Sequence, residues 1–358
     1  MTTELDLKRY PHGLLPLFQG EGSHGYYADS KLQKAVNLAI VLGRPLLVRG
    51  EPGIGKTALA RAIAAELTDN RLIEWRIKSS DRVRDGLYQY DTIRRLIDAQ
   101  VKAPDSTNST SVQNAANPYN YVRFMYLGKA IIDPRPVVLL IDEIDKADLD
   151  FPNDLLRELD DLWFEIYEVP LPVGEYKLEA FADQQKTMSE DVLLAAARQA
   201  NDPGEFAIIN GQRKPRPIIV ITSNDEKPLP QAFLRRCITH TIDFPTLDDS
   251  PQGEANRERL RKIVIANAKR QFNIDALRPQ ILERALKIFE KLREMQYAGK
   301  KPATAELIEW VVALHHPSFE ALNQFADDAQ LPHWPMMLKD DADIHKIGEA
   351  LSDELETT

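Results

Sequence analysis

Gly50-Glu51-Pro52-Gly53-Ile54-Gly55-Lys56-Thr57 satisfies G-x-x-x-x-G-K-[ST] at every fixed position. An apolar run, Leu46-Leu47-Val48, precedes it, and a helical pattern over 58–67 follows it. That is the strand, loop, helix order a phosphate-binding loop requires. Glycines let the backbone fold around an anion, so that successive N–H groups and the N-terminus of the next helix point at the phosphates. On this reading Glu51, Pro52, Gly53, Ile54, Gly55, Lys56, Thr57 and Ala58 form the nucleotide cradle. Lys56 reaches the β- and γ-phosphates, and Thr57 ligates Mg²⁺.

Further along, Pro136-Val137-Val138-Leu139-Leu140-Ile141 runs into Asp142-Glu143-Ile144-Asp145-Lys146. Consecutive apolar residues suit a strand buried on both faces of a parallel sheet. Ligands of open α/β sheets bind beyond the carboxyl ends of the strands, which places Asp142 and Glu143 where a nucleotide would sit. Asp142 is the candidate Mg²⁺ ligand and Glu143 the candidate base that polarises the attacking water. Another apolar run, Ile218 to Ile221, ends in Thr222-Ser223-Asn224, where Asn224 either orients that water or caps the following turn. Residues 230–236 read as a short helix closing on Arg235 and Arg236, and 238–244 alternate as a closing strand. With 72–77 these make five strands interleaved with helices, a parallel α/β sheet.

The rest of the chain frames this core. Residues 1–30 read as an irregular lead-in in which Tyr26 and Tyr27 either flank a base or pack on the first helix, which Asp29 and Ser30 cap. Residues 103–120, poor in large apolar side chains, read as an exposed loop. The stretch 170–217 reads as a long decorated hairpin or a partner-binding insertion, with a helix over 190–200, a turn at Asn210-Gly211 and a basic cluster at Arg213, Lys214 and Arg216. From Ser250 the strands stop, and helical patterns run over 257–269, 281–297 and 305–314, with shorter ones over 319–326 and 344–355.

Composition narrows the classes. The 358 residues suit about two domains, and 43% hydrophobic with 28% charged residues is a globular balance. No signal peptide and no span of membrane length is visible, so the expected location is the cytoplasm without membrane insertion. One cysteine, Cys237, rules out a disulfide framework, and a net charge of −10 disfavours a broadly basic nucleic-acid surface.

Taken together, Arg44 to Gly53, Leu140 to Ala147, Asn224 and Ala232 to Cys237 resemble an AAA+ ATPase, nearest the MoxR-like branch, over residues 28 to 316. The resemblance implies a five-stranded sheet of order 5-1-4-3-2, a core over 28–249 after the lead-in of 1–27, and a helical lid over 250–358. It implies ATP and Mg²⁺ as ligands and a self-assembled ring, typically a hexamer, with Asn224 at the sensor 1 position. Arg235 or Arg236 would enter the neighbouring subunit's site as the arginine finger. At the position where relatives carry a sensor 2 arginine this chain has Lys300-Lys301-Pro302-Ala303-Thr304-Ala305, which leaves only Lys301. Tyr88 and Tyr90 fall in the branch's extra loop and either touch a substrate or pack. The implied function is chaperone-like activation of a partner protein, with a von Willebrand factor A domain as the first partner class to test. Two other classes stay open. A nucleotide-gated scaffold would bind ATP with little turnover, and a nucleic-acid motor would be stimulated by DNA or RNA.

Overall fold

The computed structural model describes residues 16–100, 118–133, 135–170, 206–210, 216–295, 300–315, 334–338, 340 and 343–344. The loop expected up to residue 117, the segment 171–205, Gly211, Arg213, Lys214 and the helices expected over 319–326 and beyond Ile344 lie outside these residues. The chain divides into two compact units, each gathered from three stretches. The first is Met1–Phe18, Lys34–Val48 and Ile63–His240, and the second is Gln19–Gln33, Arg49–Ala62 and Thr241–Thr358.

Among the described residues the strands are β1 (Leu46–Gly50), β2 (Leu72–Arg76), β3 (Tyr88–Tyr90), β4 (Val122–Phe124), β5 (Val138–Asp142), β6 (Trp163–Pro170), β7 (Phe206–Asn210), β8 (Ile218–Ser223) and β9 (Ile238–Ile242). Five of them form one sheet in the order β2-β5-β8-β1-β9. Counted along the sheet's own strands this is 5-1-4-3-2, the parallel AAA+ order. The interior strand β5 has all its residues buried because both faces are covered, as its unbroken apolar run requires. It pairs in parallel with β2, placing Arg76 beside Asp142, and with β8, placing Ile141 beside Ile221. Off this sheet, β3 pairs antiparallel with β4 and β6 with β7.

Seven described helices belong wholly or in part to the first unit. They are α1 (Ser30–Leu42), α2 (Lys56–Leu67), α3 (Val83–Leu87), α4 (Thr92–Gln100), α5 (Tyr126–Ile132), α6 (Phe151–Asp161) and α7 (Gln231–Arg236), of which α1 and α2 run on between the two units' stretches. Trp75, 1% exposed, anchors that core between the stacked ring of Tyr126 at 5.8 Å and the edge of Phe151 at 5.6 Å. Large buried rings of this kind dominate core energetics.

The second unit carries α8 (Pro251–Phe272), α9 (Pro279–Glu294) and α10 (Thr304–His315). Ser250 starts α8 by accepting a hydrogen bond from the Gly253 N–H at 3.1 Å, and left-handed Asn273 ends it. Val264, Phe289, Leu307, Trp310 and Val311 interlock in its core. Each such apolar side chain, fully buried, contributes about 1.5–3 kcal/mol. Arg257 to Glu290 at 2.6 Å and Arg261 to Glu283 at 2.7 Å then fix how α8 lies on α9.

Candidate functional site

The loop is organised by its own backbone. Lys56, 7% exposed, donates from Nζ to the carbonyls of Gly50 at 2.7 Å and Glu51 at 2.8 Å, which curls 50–56 around the ammonium. Gly50 has φ +147°, and a Cβ there would stand 2.5 Å from the Ile242 carbonyl oxygen, so β9 leaves room for glycine alone. Gly55, at φ +102°, makes the turn that lets its carbonyl accept from the Leu59 N–H at 3.0 Å and start α2. Thr57 therefore sits in the first turn of α2, with Ala58 next to it.

A cavity of about 210 Å³ opens beside this loop. Gly53, Ile54, Gly55 and Ala58 line it together with Tyr26 and Tyr27, so both tyrosines border the space next to the cradle. Burial pushes the Tyr26 phenol far above its ordinary value, which keeps it a neutral hydroxyl.

Lys301 does not stand in for a lid arginine at the loop. Its Nζ donates to the Arg293 carbonyl at 2.7 Å and closes the end of α9 instead. A further cation at the loop, besides Lys56, is Arg293 itself. Its guanidinium lies 3.6 Å over the Phe244 ring, donates to the Pro302 carbonyl, and reaches Glu51 Oε2 at 3.2 Å. An arginine at the end of a helix has no motif around it, and only the packing of α9 reveals this one.

In the first unit, the ends of β5 and β8 form a side-chain network. Asp142, 6% exposed, takes a 2.7 Å hydrogen bond on Oδ1 from the Thr222 hydroxyl, and the Arg76 Nε lies 3.9 Å from its Oδ2. The same Thr222 oxygen accepts from the Glu143 N–H at 2.8 Å. Glu143 itself is left-handed, φ 60° and ψ 50°, an uncommon conformation for a residue with a side chain. Its Oε2 lies 2.6 Å from Lys146 Nζ, and its Oε1 accepts from Asn224 Nδ2 at 3.4 Å. The hydrogen bond to Glu143 holds the Lys146 ammonium above its usual range.

Asp145 supports this end from below. Its Oδ2 accepts from the N–H groups of Asn224 at 3.0 Å and Glu226 at 2.9 Å, which fixes the turn that carries Asn224. Thr222 and Asp145 are functional neighbours that the reading of the sequence left unassigned. Their roles depend on register between strands about 80 positions apart in the chain.

The two arginines at the end of α7 differ. Arg236 pairs with Asp160, Nε to Oδ2 at 2.7 Å, while no ion pair or side-chain hydrogen bond among the described residues engages the exposed Arg235. Arg44 donates to both of their carbonyls and so caps the helix end. Tyr88 is core: 3% exposed, it stacks on Phe164 at 6.1 Å and donates to Glu168 Oε2 at 2.9 Å. Burial pushes its phenol up to about 12. Tyr90 accepts from Arg95 at 2.7 Å, so both tyrosines have partners within the first unit.

The fold is thus that of an AAA+ P-loop nucleotide-binding core. The profile of the family described as "AAA domain" matches residues 42–171. No curated protein matches the chain. Among solved structures, NtrX from Brucella abortus in complex with ADP is 12% identical, with 91% of this chain and 58% of that one covered and a TM-score of 0.37. The S. cerevisiae Hsp104–ADP complex is 14% identical, with 87% and 50% covered and a TM-score of 0.43. A closed state of Hsp104 with ATPγS and FITC casein is 15% identical, with 87% and 46% covered and a TM-score of 0.39. The chain spans about half the length of these solved chains. No described helix is long and apolar enough to cross a membrane.

Proposed function

We propose that the protein is a Mg²⁺-dependent ATPase of the MoxR-like kind that works as a ring, typically a hexamer, and couples ATP hydrolysis to remodelling a partner protein. The observation that carries this reading is the Glu143 carboxylate at the end of β5, turned out by a left-handed backbone and held by Lys146 and Asn224. Glu143 accepts a proton from water as the oxygen attacks the γ-phosphorus, and ADP leaves in line. Asn224 orients that water. Lys56 and the loop N–H groups bind the phosphates.

For the metal, the Thr57 hydroxyl and the Asp142 carboxylate are the hard oxygen donors that Mg²⁺ prefers. The Thr222 hydroxyl holds Asp142 in one orientation, which suits a ligand. When bound, Mg²⁺ would supply positive charge to offset the negative charge that develops on the phosphate. Arg235, without the ion pair that occupies Arg236, is the finger that would act on a neighbouring subunit's nucleotide. The partner class to test first is a protein with a von Willebrand factor A domain.

The test is phosphate release by wild type, Glu143→Gln and Arg235→Ala as a function of protein concentration. Turnover that rises with assembly, is lost in both variants and leaves ATP binding by Glu143→Gln intact supports the reading. A wild type that binds ATP and never releases phosphate, alone or with a partner, overturns it. That second result would favour the nucleotide-gated scaffold, to which the 2.6 Å pairing of Lys146 with Glu143 also lends support.

A further inference from the structure

A second candidate site lies in the first unit. A polar groove of about 940 Å³ is bordered by α3, the antiparallel β3–β4 pair, the start of α4, and α5. Arg82, Arg94, Arg123 and Lys129 line it, and no ion pair gives any of the four a carboxylate partner among the described residues. The acids nearby are already engaged. Asp85 accepts from the Arg82 N–H at 3.0 Å, and Asp91 accepts from the Arg94 N–H at 2.9 Å, both as helix caps. Glu168 binds Arg84 and Tyr88, and Asp98 takes the Tyr121 hydroxyl at 2.7 Å. Arg82, Arg84, Arg94, Arg123 and Lys129, set against Asp85, Asp91 and Glu168, still leave the lining an excess of two positive charges in a chain of net charge −10.

An independent feature adjoins it. Helix α4 buries none of its residues. Its apolar positions Ile93, Leu96 and Ile97, spaced as one helical face, are 72%, 56% and 54% exposed. The helix is held by its polar side instead, through Arg95 to the Tyr90 hydroxyl at 2.7 Å and Asp98 to the Tyr121 hydroxyl. An amphipathic helix anchored by its polar face leaves its apolar face for something else to cover.

We infer that this groove and the open face of α4 together bind an acidic amphipathic segment of a partner polypeptide. Its carboxylates meet Arg82, Arg94, Arg123 and Lys129, and its apolar side chains cover Ile93, Leu96 and Ile97. Single-stranded nucleic acid fits less well, because it needs aromatic faces for base stacking. Here Tyr88 is stacked on Phe164, and Tyr90 and Tyr121 meet edge to face at 6.5 Å. This inference names the partner chemistry for the remodelling activity proposed above and rests on it.

The test uses the full chain with ATP and fluorescence anisotropy of three labelled probes. They are a peptide of about 20 residues with Glu and Leu at helical spacing, its Lys/Leu counterpart, and a thymidine oligonucleotide of similar charge. The Glu/Leu peptide should bind, and binding should weaken as salt rises. Arg94→Glu with Arg123→Glu should weaken it at least about tenfold, and Ile93→Ser with Ile97→Ser should also weaken it, by about threefold or more. These residues are exposed, and unchanged ATP affinity checks that both variants fold.

The inference falls if the Glu/Leu peptide does not bind wild type, if charge reversal shifts its affinity by less than about twofold, or if the oligonucleotide binds more tightly at the same residues. Absence of ATP turnover in a wild type that still captures the peptide would overturn the function and leave the groove standing.

Discussion

The phosphate loop and the end of β5 place their polar groups in opposite ways. In the loop, consecutive residues do the work through backbone: Lys56 is held by the carbonyls of Gly50 and Glu51, and glycines set the curvature. At the strand end, side chains hold side chains. Thr222 ties Asp142 to the Glu143 N–H, and Asp145 ties down Asn224. Backbone placement tolerates exchange at positions whose side chains face outward, such as the exposed Pro52, and fails at the glycines and the lysine. Side-chain placement makes every partner matter, including those that touch no ligand.

The sharpest break in that comparison comes from Glu143→Gln against Lys56→Ala. The first should keep ATP binding and lower turnover by about a thousandfold, because the base is gone and the loop is intact. The second should lose binding itself, read by nucleotide titration. Equal loss of binding in both would mean that the strand end, too, serves mainly as a cradle. Arg235→Ala should cost turnover of the assembled protein about a hundredfold. Arg236→Ala, which removes the surface pair to Asp160, should change turnover by less than about threefold. The reverse ranking would assign the finger to Arg236.

Thr222→Val probes the strand end at a residue that touches no ligand. Valine has nearly the same shape, yet it strips the partner from a buried carboxylate oxygen and from the Glu143 N–H. Turnover should fall about tenfold, and stability by about 1–3 kcal/mol in denaturant titration. A Thr222→Ser variant should recover most of both. If valine lowers stability alone and turnover holds, Thr222 is packing and not part of the placement of Asp142.

How much of this could be read beforehand follows from the same contrast. The loop was legible because its parts are adjacent in the chain, and Asp142 and Glu143 because an apolar run ending in two acids is costly without a purpose. The sheet order came with the family resemblance those stretches carry. Thr222 and Asp145 were not legible, since a threonine at the end of one strand gains its meaning only from lying beside Asp142 of the next. Arg293 was hidden for a similar reason: the expectation looked at residues 300–305, where Lys301 turns back onto α9. The groove was missed because its cations come from α3, α4, β4 and α5, each an ordinary solvated charge when read alone.

The smallest effect concerns a buried carboxylate outside both regions. Asp145 and Glu158 each have one buried oxygen without a hydrogen-bond partner. At Asp145 the other oxygen holds two N–H groups of the Asn224 turn, which offsets the cost of burial. At Glu158, on α6, burial, aided by Asp154 and Asp161, outweighs Arg157 and the residue's own backbone N–H and pushes the carboxyl above the usual range. A raised carboxyl value in the folded state means that folding favours the protonated form. That contribution is present below the ordinary carboxylate value and is lost as pH rises through the raised one, so at neutral pH the charged Glu158 is a net cost. Glu158→Gln should therefore raise Tm by about 1–3 °C at pH 7, and the gain should shrink as pH falls through the raised value and be gone below about 4. A gain that stays constant with pH would trace to how the amide packs and not to the charge. Asp145→Asn should behave in the opposite way, losing stability at neutral pH, because there the carboxylate oxygen serves the turn that carries Asn224.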